Sequence, residues 1–153
     1  MATIVIGCDN AAVSLKNALK RYMEGQGILV EDLGCDSVED QTNYPTIAKN
    51  VCNSIISSNY TKRGVLVCGT GIGMCMAANK FPGIRAAVCH DTYSAERSVL
   101  SNNGNVLCLG ERVIGVELAK KILKEWLGLK FADGSSTPKV NEIIKIEEEN
   151  FKE

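Results

Sequence analysis

The chain reads as an α/β protein, a single three-layer domain with a five-stranded parallel sheet and a C-terminal helix. Three observations predict this. Short apolar runs alternate along the sequence with stretches of helical periodicity. Those runs are continuously apolar rather than alternating, as strands covered on both faces must be. At 153 residues, 45% hydrophobic and 23% charged, the chain also has the length and composition of one ordinary domain. We take 1–153 as that domain, with 139–153 as a helical tail.

The elements follow in order. Thr3–Cys8 is a strand, and Asp9-Asn10 is a turn or helix cap. Leu15, Leu19, Tyr22 and Met23 recur on one helical face until Gly25 and Gly27 stop it. Ile28–Leu33 is a second strand, and the acidic stretch Gly34–Asn43 is a loop. Pro45 suits the first turn of the next helix, which buries Ile47, Val51 and Ile55 beside Ala48, Cys52 and Ile56. Gly64–Cys68 is the third strand, followed by glycines and a helix from Met74 to about Lys80. Pro82-Gly83 stops the chain before a fourth strand, Ile84–Cys89. Thr92–Leu100 is helical, Ser101–Gly104 breaks it, and Val106–Leu109 is the fifth strand. Leu118, Ala119, Ile122, Leu123 and Trp126 mark a helix closed at Gly128, Ala132–Pro138 is a loop, and Val140 to about Glu149 is a last helix.

Composition narrows the partners. The formal net charge is −1 with no basic block, so nucleic acid is not expected to bind. No apolar run is long enough to span a bilayer, and Met1–Gly7 reads as a strand rather than a signal peptide. The seven cysteines are odd in number, scattered and never spaced C-x-x-C. They point to a reduced, cytoplasmic chain rather than a disulfide framework.

Ligands of an open parallel sheet bind outside the carboxyl ends of its strands. Those positions hold Cys8-Asp9-Asn10, Cys68–Gly73, His90-Asp91 and Gly110-Glu111-Arg112. In Val65-Leu66-Val67-Cys68-Gly69-Thr70-Gly71-Ile72-Gly73-Met74 the glycines let the backbone turn sharply and approach a ligand. A helix opening there aims unpaired N–H groups and a positive dipole end at an anion, and the same field favours a charged sulfur at Cys68. The loop lacks the Gly-Lys-Ser/Thr of a nucleotide loop and has G-x-G-x-G spacing, unlike a dinucleotide fingerprint. Each feature has a plainer alternative: a turn without ligand, a buried structural thiol at Cys68, and a structural His90. Asp9 is equally placed to cap a helix, and Arg112 to be a surface charge. A metal cluster of Cys8, Cys68, Cys89 and His90 is disfavoured, because their loops need not converge to bonding distance.

Several stretches together give the sequence a resemblance. They are Ile4–Asp9, Asn43-Tyr44-Pro45, Cys68–Met74, Ala77–Lys80, Gly83–Ala87, Cys89–Ala95, Asn105–Leu107 and Gly110–Gly115. Through them, nearly the whole chain resembles the B-type ribose-5-phosphate isomerases and the related galactose-6-phosphate isomerase subunits. The resemblance implies a Rossmann-like sheet and an aldose–ketose isomerase working without metal or other cofactor. It implies a homodimer or dimer of dimers, with active sites at the interface drawing on both chains. Cys68 is then the base moving a proton between C2 and C1 of an open-chain sugar phosphate, with Thr70 beside it. The N–H groups around Gly69, Gly71 and Gly73 stabilise the enediolate. By the same resemblance Asp9, Thr70, Tyr44, Asn102 and Arg112 line the sugar site, and Asn10 and His90 are candidates for it from their places at strand ends. The implied reaction interconverts ribose 5-phosphate and ribulose 5-phosphate in the pentose phosphate pathway. Another sugar phosphate (galactose 6-phosphate or allose 6-phosphate), or a weakly active homologue that binds sugar phosphates, is the alternative.

Three departures from the resembled pattern stand out. Asn10 replaces a histidine, and Ser101 replaces the histidine that opens the sugar ring. Near the C-terminus, where two arginines hold the phosphate, the stretch Asp133–Val140 has Ser135 and offers only Lys139. One lysine does not reproduce a bidentate guanidinium contact.

Overall fold

The computed structural model describes residues 1–151, so the last two residues of the expected tail lie outside it. Five strands form one parallel sheet: β1 (Ile4–Cys8), β2 (Val30–Asp32), β3 (Arg63–Cys68), β4 (Ala86–Val88) and β5 (Val106–Gly110). Their spatial order is β2-β1-β3-β5-β4. The helices are α1 (Val13–Gly25), α2 (Tyr44–Ser57), α3 (Ile72–Ala78), α4 (Thr92–Leu100), α5 (Val116–Leu127) and α6 (Thr137–Asn150). Helices α2 and α3 pack together on one face of the sheet, and α1, α4 and α5 neighbour one another on the other. The central strands are therefore sealed on both sides. Ile4, Val5, Ile6, Val65, Leu66, Val67, Leu107 and Leu109 are fully buried, which their unbroken apolar runs require.

The order positions the site. From β1 the chain moves outward to β2 with α1 on one face, and from β3 it moves the opposite way with α3 on the other. The carboxyl ends of β1 and β3 thus flank the point where the winding reverses, and a crevice opens there. Register places Cys8 beside Val67 and Cys68 beside Gly110, so three strand ends finish level with one another.

Four elements differ most from expectation in their bounds. The second strand keeps only Val30–Asp32, because Gly27 at φ +77° turns the chain and Ile28 N–H bonds back to Met23. The fourth keeps only Ala86–Val88, since Ile84 N–H closes a turn onto Phe81 and Asn105 Oδ1 takes Arg85 N–H. Helix α3 starts at Ile72, two residues early, because left-handed Gly71 serves as its N-cap. It ends at Ala78, and the Asn79 side chain pins that end by bonding both N–H and C=O of Ala86. Helix α6 begins at Thr137, with Pro138 accommodated in its first turn rather than closing the loop. No described helix is long and apolar enough to cross a membrane.

Candidate active site

Cys68 ends β3 with only 5% of its surface exposed. The chain leaves it through Gly69 and Thr70, and Gly71 takes φ +78° to start α3. That geometry aims Gly71 N–H at Cys68 Sγ, 3.1 Å away. A side chain at Gly71 would place its Cβ 2.9 Å from the Leu109 carbonyl carbon, so glycine is required by both torsion and space. Thr70 is exposed at the loop tip, and its Oγ1 accepts Ile72 N–H at 3.3 Å.

The turn after β5 is laced to this loop. Glu111 N–H donates to Cys68 O at 2.9 Å and Arg112 N–H to Gly69 O at 3.0 Å. The exposed Arg112 guanidinium lies over Gly69, whose added Cβ would sit 3.1 Å from Nη1. From the opposite side the half-exposed Tyr44 ring lies against Gly73, where a Cβ would come within 2.6 Å. Two of the three loop glycines therefore leave room for a functional side chain.

His90 follows β4, and its Nε2 accepts Gly110 N–H at 2.9 Å. Only an unprotonated Nε2 can accept, which fixes the imidazole as neutral with its proton on Nδ1. Its pKa is lowered by burial, an effect that Asp91 opposes. Asp91 itself caps α4, accepting Ser94 N–H and Ser94 Oγ–H at 2.6 and 2.7 Å. Asp9, half-buried after β1, accepts Ala11 N–H at 3.1 Å, and Asn10 follows it in the same turn.

Asp9, Asn10, Cys68–Gly73, His90 and Arg112 therefore stand on the strand ends or their first following residues, with Tyr44 reaching in from α2. Asn102 does not join them. It follows α4 at the opposite, amino edge of the sheet, near Ile84 and the later turns of α6. Lys139 is exposed on the first turn of α6, and among the described residues no hydrogen bond or ion pair ties it to the group. No cluster of three or more His, Cys, Asp or Glu side chains suited to a metal occurs among the described residues.

Sequence reasoning missed one residue at the centre of this arrangement. Helix α1 begins after Ala12, which cannot cap it, and Glu111 Oε1 instead accepts Leu15 N–H at 3.0 Å. Glu111 thus ties the first helix to the fifth-strand turn. The available signal was an acidic residue beside Arg112 at a strand end, with a helix start elsewhere lacking its own cap. Lys16, fully buried on α1, was missed too; it binds Asp32 at 2.9 Å and Asp36 at 3.2 Å. Burial alone pushes its ammonium down, and the two carboxylates outweigh that and raise it.

Comparison with known proteins matches residues 4–143 to the model of a family described as ribose/galactose isomerase. The chain belongs to that family. Its members are sugar-phosphate isomerases, and this chain is an aldose–ketose isomerase. It is 49% identical to the D-erythrulose-4-phosphate isomerase of Pectobacterium atrosepticum, over 94% of this chain and 93% of that one. It is 48% identical to D-erythrulose-4-phosphate isomerase 2 of Mycolicibacterium smegmatis, over 94% and 96% respectively. The structure of ribose-5-phosphate isomerase B from Mycoplasma genitalium, which holds ribulose 5-phosphate, superposes with a TM-score of 0.91 at 31% identity, covering 97% of each chain. The parallel α/β sheet described above is the architecture of this isomerase family.

Proposed function

We propose that this isomerase interconverts a four-carbon ketose 4-phosphate, D-erythrulose 4-phosphate, and the matching aldotetrose 4-phosphate. The observation carrying this reading is Ser101, at the position where the family's ring-opening histidine is expected. In a tetrose 4-phosphate the phosphate occupies O4, the only oxygen that could close a five-membered ring on C1. Such a substrate stays open-chain and leaves ring-opening chemistry nothing to do. Ribose 5-phosphate keeps O4 free and closes to a furanose that must be opened. Ser101 also has an internal role, accepting Arg97 Nη1–H at 3.3 Å. The relatives of 49% and 48% identity named for D-erythrulose 4-phosphate support the same reading.

In this mechanism Cys68 takes the proton from C1 of the ketose and returns it to C2. Backbone N–H groups opening α3 donate to the enediolate oxygen, where one such donor is worth roughly 10²–10³ in kcat. Thr70, Asp9, Asn10 and Tyr44 hold the hydroxyls, and the Arg112 guanidinium over Gly69 takes the phosphate. His90, neutral and held by Gly110, shapes the wall between β4 and β5. Asn102, at the opposite edge of the sheet from Cys68 within one chain, reaches a site only from a second copy. We therefore assign a homodimer or dimer of dimers with shared sites. Seven free thiols fit a reducing cytoplasm.

The second reading is ribose 5-phosphate, serving the pentose phosphate pathway, favoured by the Mycoplasma genitalium structure with ribulose 5-phosphate. Steady-state assays with D-erythrulose 4-phosphate, ribose 5-phosphate, ribulose 5-phosphate and a hexose 6-phosphate separate the two. We expect kcat/KM to be highest for the tetrulose phosphate, with Cys68→Ala inactive on all. Faster turnover of ribose 5-phosphate would assign the second reading. Equal rates for wild type and Cys68→Ala on every substrate would sink the isomerase mechanism itself.

A further inference from the structure

The Cys68 loop stands at the carboxyl edge of the sheet, and a cavity of about 850 Å³ opens at the amino edge. Arg63, which starts β3, and Arg85, which precedes β4, line it together with the exposed Lys130 beyond α5. Tyr60 and Phe131 add aromatic wall, and no carboxylate residue lines the cavity. Arg63 stands five residues before Cys68 on β3, about 17 Å along the strand, so the two places are separate within one chain. The Arg63 guanidinium lies 3.6 Å from the centroid of the Trp126 ring, and its Nη2 donates to Trp126 O at 3.1 Å. That contact caps the end of α5 and holds the guanidinium plane still, yet it uses one of five N–H donors. The unused Arg63 nitrogens are not sealed from solvent, so they open on the cavity. Arg85 is fixed too, with Nε donating to Asn103 O at 2.6 Å and Nη1 to Gly83 O at 3.4 Å. Among the described residues no carboxylate oxygen lies within 4.0 Å of a side-chain nitrogen of Arg63, Arg85 or Lys130. Glu147 acts on Arg85 from α6, but its Oε1 is engaged by Gly83 N–H at 2.9 Å.

We propose that this cavity is a second binding site, for a small organic phosphate that carries a flat apolar ring, of the nucleoside monophosphate kind. The phosphate oxygens accept from the free N–H groups of Arg63 and from Arg85, and Lys130 adds its charge. The ring lies along Tyr60 and Phe131, where flat apolar surface is matched. Three cations with no acid beside them leave a positive field that an anion relieves. Burial lowers the Arg63 guanidinium to about 10, and it lowers Arg85 against the opposing effect of Glu147 and Tyr60. Both charges are therefore short of solvation until a counter-anion arrives. Trp126 and Asn103 hold the two guanidiniums in place beforehand, so little side-chain freedom is lost on binding. The volume also falls within the usual range for small ligands, about 300–1,000 Å³. Capping α5 accounts for one Arg63 bond; it does not account for Arg85 and Lys130 on the same acid-free cavity.

The test is a titration of the full chain, followed by amide nitrogen–proton correlation spectra, with adenosine monophosphate and with inorganic phosphate at constant ionic strength. We expect saturable shifts at Gly64, Gly104, Asn105 and Leu129. Adenosine monophosphate should bind at least about five-fold more tightly than inorganic phosphate, the lower end of what one stacked ring contributes. Arg63→Gln should weaken adenosine monophosphate at least about ten-fold, as loss of a charge-assisted hydrogen bond does, and Arg63→Lys should fall between it and wild type. Lys130→Glu should weaken it at least about three-fold. Lys130 is exposed and takes no part in the α5 cap, so this variant decides the matter even if Arg63→Gln fails to fold. Shifts confined to Gly69, Gly71, Gly73 and Arg112, equal affinity in wild type and Lys130→Glu, or inorganic phosphate binding as tightly as adenosine monophosphate would overturn the assignment. The shifts are read without turnover, so this site stands or falls apart from the isomerase mechanism.

Discussion

Ser101 illustrates how a missing group informs chemistry. Restoring an imidazole there by Ser101→His should matter only to a substrate that closes a ring. We expect kcat/KM for ribose 5-phosphate, assayed from aldose to ketose, to rise at least several-fold. The rate on D-erythrulose 4-phosphate should stay within about two-fold. General acid–base catalysis by a positioned side chain typically supplies about 10²–10⁴, so even partial alignment is measurable. A rise on both substrates would mean that Ser101 limits something other than ring opening. His90 teaches the converse: a lone histidine at a strand end looks like an acid or base, but its Nε2 is already spent on Gly110 N–H.

At the scale of elements, the start of α1 depends on a residue 96 positions away. Ala12 offers no capping oxygen and α1 has no acidic residue in its first turn, so Glu111 supplies both the acceptor and the negative charge. Glu111→Ala should lower unfolding stability by about 1 kcal/mol, the usual worth of a cap, and Glu111→Gln should recover much of it. Urea denaturation of both variants checks this; two neutral substitutions would mean that α1 caps itself through water.

The same element shows where sequence reading succeeds and stops. All five strands and six helices were legible, because apolar continuity and helical periodicity are local properties. The Cys68–Gly73 loop was legible as a strand-to-helix turn from its glycines. Edge strands β2 and β4 were over-extended, because Ile28 and Ile84 are buried by turns rather than by the ladder. Glu111 and Lys16 were not legible, since their partners lie far along the chain, at Leu15 and at Asp32 and Asp36. A sequence does not print which loops end level.

On the scale of the molecule, pH acts through His90. Its folded pKa lies below the ordinary value, so the unfolded chain binds the proton more readily. The His90 contribution is intact above about pH 6.5, the unfolded value, and drains away as pH falls toward the folded one. Protonation also removes the acceptor for Gly110 N–H at the strand end beside Cys68. We expect the urea midpoint of wild type to fall between pH 7.5 and 5.5 by more than that of His90→Gln, which has no such proton to gain. Parallel declines in the two proteins would remove His90 as the cause.

The sheet order β2-β1-β3-β5-β4 has a consequence for the chain as it leaves the ribosome. β4 is made before β5 yet pairs only with β5, so it emerges with no partner to receive it. Until Val106–Gly110 arrives, one whole edge of β3 is bare, and neither Cys68 O nor Gly69 O has its donor from the turn that follows. The insertion of one late strand therefore completes the sheet, docks the waiting edge and closes the Cys68–Gly73 loop in a single event. A nascent chain stalled before that strand should hold its thiol loop open and its β3 edge free for chaperone capture.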